Sequence, residues 1–387
     1  ARGRQVVLLR GALQVRVLVV ERMRPSLRAV PHNGHDRRAL VADPEDASSA
    51  TAEELPRPSV AHTVLDDLVA TDPELSALDE SELADGIAQL RRDRGALILA
   101  HNYERPEIQD VADRLGDSLD LARFAARSVA PIIVFCGVRF MAETASLLCP
   151  GRQVLLPEPA ADCSLAASVT VDDVRGWRSA HPDGMVVAYI NTHAEVKAEA
   201  DWCCTSANAT RVVEALPVDV PVLFLPDLAL GQHAVRATGR PLYLWRGRCH
   251  VHAEFTANAL GQSLHENPGS DLLVHPESIG LTELLGSRDV PAGRLQVSGT
   301  GAMVRHAPQG SHRQLVATET GLLHRLAQEN PRREFVPVVE SAVCDYMKAT
   351  TLTKLYRSLR DLSETVTVPE EFAAAARVPL KRMMSID

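Results

Sequence analysis

The stretch ALILAHNY at residues 96–103 decides the fold, because its pattern returns twice further along the chain. In each copy an apolar run of strand length ends in polar side chains that can form hydrogen bonds or transfer protons. The two later copies are MVVAYIN at 185–191 and DLLVHPE at 271–277. A recurrence at a period of about 90 residues indicates one supersecondary unit that is repeated, so equivalent positions should be related by symmetry in space. A cysteine follows each polar end after 60–69 residues: Cys163, Cys249 and Cys344.

Each repeat contains further apolar strands between the polar end and the cysteine. A third strand is predicted at 132–135, 222–225 and 314–317, and a fourth strand just before each cysteine at 154–156, 242–245 and 335–338. Helical stretches separate these strands; one begins at Pro106, since proline in the first turn beside acidic residues is a helix-start signal. Near-continuous apolar strands that alternate with helices are typical of parallel sheets covered on both faces.

We therefore predict an α/β protein built from three αβα sandwich units with parallel sheets. The units are related by pseudo-threefold symmetry, and the active site lies at their central interface. The predicted boundaries are 85–165 for unit one, 166–258 for unit two and 259–344 for unit three, and the C-terminal segment 345–387 completes unit one.

The N-terminal segment differs from the rest in composition. The first 40 residues are rich in arginine and contain no lysine, and a polar linker follows, so residues 1–65 are predicted to be a disordered basic leader and linker. The whole chain has 387 residues, 45% hydrophobic and 24% charged, which is ordinary for a soluble globular protein. A net charge of −9 argues against nucleic acid as the main partner.

Cysteine content and hydropathy bear on the compartment. Seven cysteines without disulfide-scaffold spacing fit a reducing cytoplasm, and no apolar run is long enough to cross a bilayer. We therefore predict a cytoplasmic protein without membrane or nucleic-acid partners. Four cysteines are assigned to packing: Cys136, Cys149, Cys203 and Cys204.

The repeat also predicts where the site lies. Ligands of open parallel sheets bind at the carboxyl ends of the strands, and the side chains at these ends are His101, Tyr103, Tyr189, Asn191, His275 and Glu277. Three symmetry-related cysteines would meet at one point, which indicates a metal centre. Three thiolates match three corners of a 4Fe–4S cluster and leave one iron open, whereas zinc is the competing metal because His250 and His252 stand next to Cys249.

At this point the chain resembles the quinolinate synthase (NadA) family, in an actinobacterial-like form. The resemblance spans about residues 90–385 and is carried by many ordered motifs: AHNYERPEIQDVADRLGDS at 100–118, IVFCGVRFMAETA at 133–145, VLLPEPAADCSL at 154–165, YINTHAEVKA at 189–198, CTSANA at 204–209, LPDLALG at 225–231, CHVHAEF at 249–255, HPES at 275–278, TETGLLHRL at 318–326 and CDYMK at 344–348.

The resemblance implies a transferase of de novo NAD biosynthesis that condenses iminoaspartate with dihydroxyacetone phosphate to give quinolinate, phosphate and water. It implies a 4Fe–4S cluster on the three repeat cysteines, with the open iron as a Lewis acid, and a transient contact with L-aspartate oxidase. The implied catalytic residues are Tyr103, Tyr189, His275 and Glu277. The implied substrate contacts are His101, Ser118, Tyr189, Asn191, Ser206, His275, Glu277 and Thr300.

Two segments depart from the family pattern. The usual Thr-Ser-Ser-Asn reads Thr-Ser-Ala-Asn at 205–208, and the usual Gly-Ser-Thr reads Ser-Gly-Thr at 298–300. Three alternatives remain open at this stage: a diphthamide-type radical enzyme that cleaves S-adenosylmethionine, a non-catalytic iron–sulfur protein, and a structural zinc protein. The polar residues at the strand ends argue against the first two. For the second, a carrier or sensor needs no set of histidine, tyrosine and glutamate at the mouth of a cluster site.

Overall fold

The computed structural model describes residues 18–19, 64–287 and 293–386. Most of the predicted leader at 1–65 therefore lies outside the described residues. Within that segment the structure gives a two-residue strand, β1 (Leu18–Val19), and the first residues of helix α1 (Val64–Ala70). Among the described residues, none of the helices combines the length and apolar character needed to cross a membrane.

Unit one opens with helix α2 (Glu80–Arg94), which has a capping signal at each end. Asp79 and Glu82 form a reciprocal capping box at its start. Gly95 ends the helix at a φ of 61°, a left-handed conformation that glycine adopts without strain. The rest of the unit consists of β2 (Ala96–His101), α3 (Pro106–Val111), β3 (Arg114–Gly116), α4 (Ser118–Arg127), β4 (Ile132–Cys136), α5 (Arg139–Leu148) and β5 (Gln153–Leu155).

Units two and three repeat this succession of strands and helices. Unit two contains α6 (Val171–Ala180), β6 (Met185–Tyr189), α7 (Ala194–Ala198), β7 (Trp202–Cys204), α8 (Ala209–Glu214), β8 (Val222–Leu225), α9 (Leu228–Thr238) and β9 (Tyr243–Leu244). Unit three contains α10 (Ala257–Glu266), β10 (Asp271–Val274), α11 (Leu281–Leu284), β11 (Leu295–Val297), α12 (Thr300–His306), β12 (Arg313–Ala317), α13 (Leu322–Glu329) and β13 (Glu334–Pro337). The C-terminal segment adds α14 (Asp345–Lys348), α15 (Leu352–Asp361) and α16 (Glu370–Met384).

The three sheets share one strand order, and every pair of neighbouring strands within them is parallel. The orders are β3-β2-β4-β5, β7-β6-β8-β9 and β11-β10-β12-β13, with β1 added beside β9. In each unit the first strand thus lies between the second and the third. The predicted fold class, three αβα units with parallel sheets, is confirmed.

The register aligns the carboxyl ends of the first and second strands. His101 pairs with Gly116 in unit one, and Tyr189 pairs with Cys204 in unit two. The polar residues that follow each of these two strands therefore emerge side by side at one edge of each sheet.

The core is mainly aliphatic, as the few aromatic residues require. One large cluster joins units one and two and includes α16, whose Ala376, Leu380 and Met383 are fully buried. Helix α15 packs against α2 of unit one, and Leu155 forms an antiparallel bridge with Thr365. Helix α16 continues onto α7 and β7 of unit two, so the C-terminal segment fastens two units together.

Candidate active site at the junction of the three units

One cavity between the three units collects every site residue predicted from the sequence. It encloses about 720 Å³ of empty space, its open mouth included. Its lining includes all twelve predicted residues: His101, Tyr103, Ser118, Cys163, Tyr189, Asn191, Ser206, Cys249, His275, Glu277, Thr300 and Cys344. The strand ends, the hydroxyl residues and the cysteines thus face one common space.

The two histidines that end first strands are held by the same local hydrogen bond. The backbone N–H of Tyr103 donates to Nδ1 of His101 at 3.2 Å, and the backbone N–H of Glu277 donates to Nδ1 of His275 at 3.4 Å. A neutral imidazole that accepts at Nδ1 carries its proton on Nε2. Both rings are therefore fixed as Nε2–H donors.

Glu277 is the centre of a buried hydrogen-bond network. Its Oε1 accepts from the hydroxyl of Tyr189, and its Oε2 lies 3.0 Å from Nδ1 of His252. His252 in turn lies 2.9 Å from the hydroxyl of Thr318 through Nε2, and Thr318 bonds the hydroxyl of Tyr103. The chain of contacts therefore alternates between units two and three before it reaches Tyr103 of unit one.

Sequence reasoning considered His252 only as a zinc ligand and did not single out Thr318. The structure stacks His252 on His275 with ring centroids 4.4 Å apart, and both rings are almost fully buried. A signal was present for His252, since it follows Cys249 by three residues and so shares its turn. Thr318 directly follows the third strand of unit three, a position that the strand-end argument had not used.

Burial and charge set the protonation states of this network. Burial opposes ionisation of Glu277, but His252, His275 and the hydroxyl of Tyr189 outweigh it and hold the pKa at about 2. Burial lowers the pKa of His101 and of His275 to about 3. Near neutral pH Glu277 is therefore a carboxylate, and His101 and His275 are neutral imidazoles.

The two tyrosines of the network remain protonated. Burial raises the pKa of Tyr103 and of Tyr189 well above the usual value, and the charge of Glu277 raises both further. Each phenol is therefore a hydrogen-bond and proton donor near neutral pH, with Glu277 as the adjacent acceptor for Tyr189.

Three hydroxyl residues occupy corresponding places after the second strands: Ser118, Ser206 and Thr300. Their segments approach closely because glycines remove side chains between them. A Cβ atom on Gly299 would lie 2.8 Å from Oγ of Ser206, and one on Gly301 would lie 2.5 Å from Oδ2 of Asp117. The changed Ser-Gly-Thr sequence at 298–300 thus still delivers Thr300 to the cavity.

The three cysteines share a local structure. Each thiol accepts a hydrogen bond from the backbone N–H three residues later: Ala166 for Cys163, His252 for Cys249 and Met347 for Cys344. Each of these N–H groups belongs to the first turn of a short helical element, at 166–168, 252–254 and 345–348. The repeated turn therefore aims each thiol in the same manner.

The three thiols are free, half-buried and electrostatically coupled. Burial raises the pKa of each, that of Cys163 to about 12. The charge of Glu277, followed by those of Cys163 and Cys344, raises the pKa of Cys249 further, and all three thiols line the same cavity. The other four cysteines are buried away from the cavity lining, as the packing assignment predicted.

A second group of possible metal ligands shares Cys249 with the three thiols. One ligand atom each from Cys249, His252 and Glu277 lies within 4.8 Å of the other two. His252 and Glu277 are already bonded to each other, whereas the three thiols form a set of identical donors from equivalent turns. The thiol set therefore fits an iron–sulfur cluster, and the mixed set fits a single divalent ion.

Comparison with known proteins gives a consistent result. A family model described as "NadA: Quinolinate synthetase A protein" matches residues 85–385. A quinolinate synthase of Thermus thermophilus is 51% identical over 306 residues, covering 79% of this chain and 97% of that protein. One from Pyrobaculum aerophilum is 47% identical over 78% of this chain and 98% of that protein, and one from Mycobacterium sp. strain KMS is 44% identical over 84% and 98%.

Among solved structures, the E-1-hydroxy-2-methyl-but-2-enyl-4-diphosphate reductase from Plasmodium falciparum aligns with 69% of this chain and 92% of its own. Its TM-score of 0.27 and identity of 10% are too low to support an argument about fold or function.

Proposed function

Because this chain belongs to the quinolinate synthase family, we propose that it condenses iminoaspartate with dihydroxyacetone phosphate to form quinolinate in de novo NAD biosynthesis. The reaction also releases inorganic phosphate and two waters, which balances its atoms. The observation that carries the proposal is the cavity in which strand ends from all three units surround the Tyr189–Glu277–His252 network.

The cofactor that we propose is a 4Fe–4S cluster held by Cys163, Cys249 and Cys344. The fit rests on three free thiols that line one cavity, each aimed by the same turn. When bound, the cluster would supply one iron without a protein ligand, which acts as a Lewis acid toward a substrate oxygen or nitrogen.

Neutral donors in the cavity would bind the anionic substrates. Among the described residues, no lysine or arginine lines the cavity, so carboxylate and phosphate oxygens need hydroxyl, amide and imidazole partners. Ser118, Ser206 and Thr300 offer hydroxyls on one side, and the Nε2–H groups of His101 and His275 face the same space. Asn191 adds a side-chain amide whose buried Oδ1 has no hydrogen-bond partner among the described residues.

Proton transfer would centre on Glu277. Ring formation needs proton removal next to an imine or carbonyl, and each loss of water needs a proton delivered to the leaving hydroxyl. The ionised Glu277 is the base, and the hydroxyls of Tyr189 and Tyr103 are the proton donors. His275 orients the substrate through its Nε2–H, and His252 takes the abstracted proton on from Glu277 through their shared hydrogen bond, which regenerates the base.

Anaerobic turnover decides the proposal. Iron-replete protein should convert iminoaspartate and dihydroxyacetone phosphate into quinolinate and phosphate in equal amounts. Cluster-containing protein that forms no quinolinate would overturn the proposal, and cleavage of S-adenosylmethionine by the same sample would favour the diphthamide-type alternative. The cytoplasmic location and the contact with L-aspartate oxidase stay predictions.

A further inference from the structure

The backbone amide of each ligand cysteine donates to a carboxylate. The N–H of Cys163 donates to Oδ1 of Asp162 at 2.8 Å, and the N–H of Cys344 donates to Oε1 of Glu319 at 3.1 Å. The N–H of Cys249 donates to Asp227. Asp227 and Glu319 occupy the same place in units two and three, two residues after the third strand. The equivalent contact thus recurs in units two and three, whereas in unit one the acceptor is the residue directly before the cysteine.

Glu319 is the most enclosed of these carboxylates, and a lysine pairs with it. Its side chain is fully buried, its Oε2 accepts from the backbone N–H of Gly321 at 2.6 Å, and its Oε1 lies 3.0 Å from Nζ of Lys348. Lys348 also donates to the backbone carbonyl of Tyr103. The ion pair therefore ties the turn of Cys344 in unit three to the strand end of unit one.

We propose that Glu319 and Lys348 are a positioning pair for the cluster. Glu319 holds the Cys344 turn by its backbone N–H, and Lys348 balances that charge while it anchors the loop of Tyr103. The inference rests on the proposed function only through the cofactor, since it requires that Cys344 hold iron.

The pair should also set the electrostatic environment of the cluster. The reduction potential of an iron–sulfur cluster depends on nearby charge and on hydrogen bonds to its sulfur atoms. The Cys344 amide points at a carboxylate and is thereby withheld from sulfur. At an effective dielectric constant of about 20, a unit charge about 10 Å away changes a one-electron equilibrium about tenfold, which corresponds to about 59 mV.

The two members of the pair predict opposite shifts. Glu319→Gln removes a negative charge and keeps an acceptor for the Cys344 amide. The midpoint potential should therefore rise, and the equilibrium constant for reduction of the cluster should increase about tenfold. Lys348→Met removes the positive charge and should lower the potential by a similar factor. The double variant should return close to the wild-type potential, because the net charge is restored. A merely structural pair would not produce shifts of opposite sign.

The measurement is an anaerobic redox titration followed by electron paramagnetic resonance, with iron and sulfide content determined on each sample. Asp113→Asn is the matched control, because Asp113 also accepts from a backbone N–H, that of Ile98 at 2.8 Å, but does not line the cavity. Its potential should equal that of the wild type.

The outcomes separate this inference from the proposed function. Wild-type protein that holds no iron would overturn the cluster and the pair together. Cluster-replete variants with unchanged potentials, or with shifts of the same sign, would overturn the pair alone. Should Glu319→Gln not fold, Lys348→Met decides: a lowered potential supports the pair, and an unchanged potential overturns it.

Discussion

Replacing Glu277 by glutamine separates proton transfer from cofactor retention. The side chain is 3% exposed, accepts the hydroxyl of Tyr189 on one oxygen and faces Nδ1 of His252 at 3.0 Å on the other. Glutamine keeps the shape and one acceptor but loses the charge and the ability to take a proton. None of the three cysteines that we propose as cluster ligands changes, so the variant should stay brown while turnover falls.

The magnitude follows from the role of Glu277 as a general base. The site holds its pKa at about 2, below the usual value of 4.5, so the side chain is ionised near neutral pH and can take a proton, which glutamine cannot. General base catalysis contributes about 10²–10⁴-fold in rate. We therefore expect kcat to fall by about 10²–10⁴-fold with an unchanged content of iron and sulfide.

Anaerobic quinolinate formation and iron analysis on the same sample test this expectation. Glu254→Gln is a matched control, because Glu254 lies on the same short turn as His252, accepts from Ser341 and is not among the described residues that line the cavity. A colourless Glu277→Gln protein would show that Glu277 supports the cluster. A brown and fully active one would refute its role in proton transfer.

Three further predictions concern the cofactor, the fold and the N-terminal segment. Alanine at any one of the three ligand cysteines should abolish cluster retention, measured as iron and sulfide per chain, whereas Cys203→Ala should retain the cluster. Gly280→Ala should lower the melting temperature strongly, since its Cβ would overlap the backbone of Ala257. Gly261→Ala in α10 meets nothing within 4 Å and should leave that temperature unchanged or raise it. Removal of residues 1–63 should leave activity intact, because the family match begins at residue 85; insoluble truncated protein would contradict this.

Much of the fold was predictable because one pattern is repeated three times. The first strand of each unit could be placed within a residue, since an apolar run that ends in polar residues has few alternatives as a strand. Repetition then fixed the strand succession in all units and brought the cysteines to one place. The site residues at the strand ends followed from the general behaviour of parallel sheets.

The contacts between units could not be predicted in the same way. The bond of His252 to Glu277 joins residues 25 positions apart, and that of Tyr103 to Thr318 joins residues 215 apart. Such pairs depend on how the three separate sheets pack against each other, and the spacing of residues along the sequence does not show this. The role of the Glu319 carboxylate could not be predicted for the same reason, since the backbone amide that it binds belongs to Cys344 on a different turn.

The site is symmetric where it would hold the proposed cofactor. It is asymmetric where it would bind the two proposed substrates, which differ from each other. The three thiols occupy equivalent turns, each bonded by the N–H three residues later, because three corners of a cubane demand equivalent geometry. The first-strand ends occupy equivalent places as well, yet they carry different pairs: His101 and Tyr103, Tyr189 and Asn191, His275 and Glu277. Two unlike substrates need one base, separate donors and separate anion contacts at defined places. A threefold frame can supply these only if its units diverge at these positions and stay alike at the cysteines.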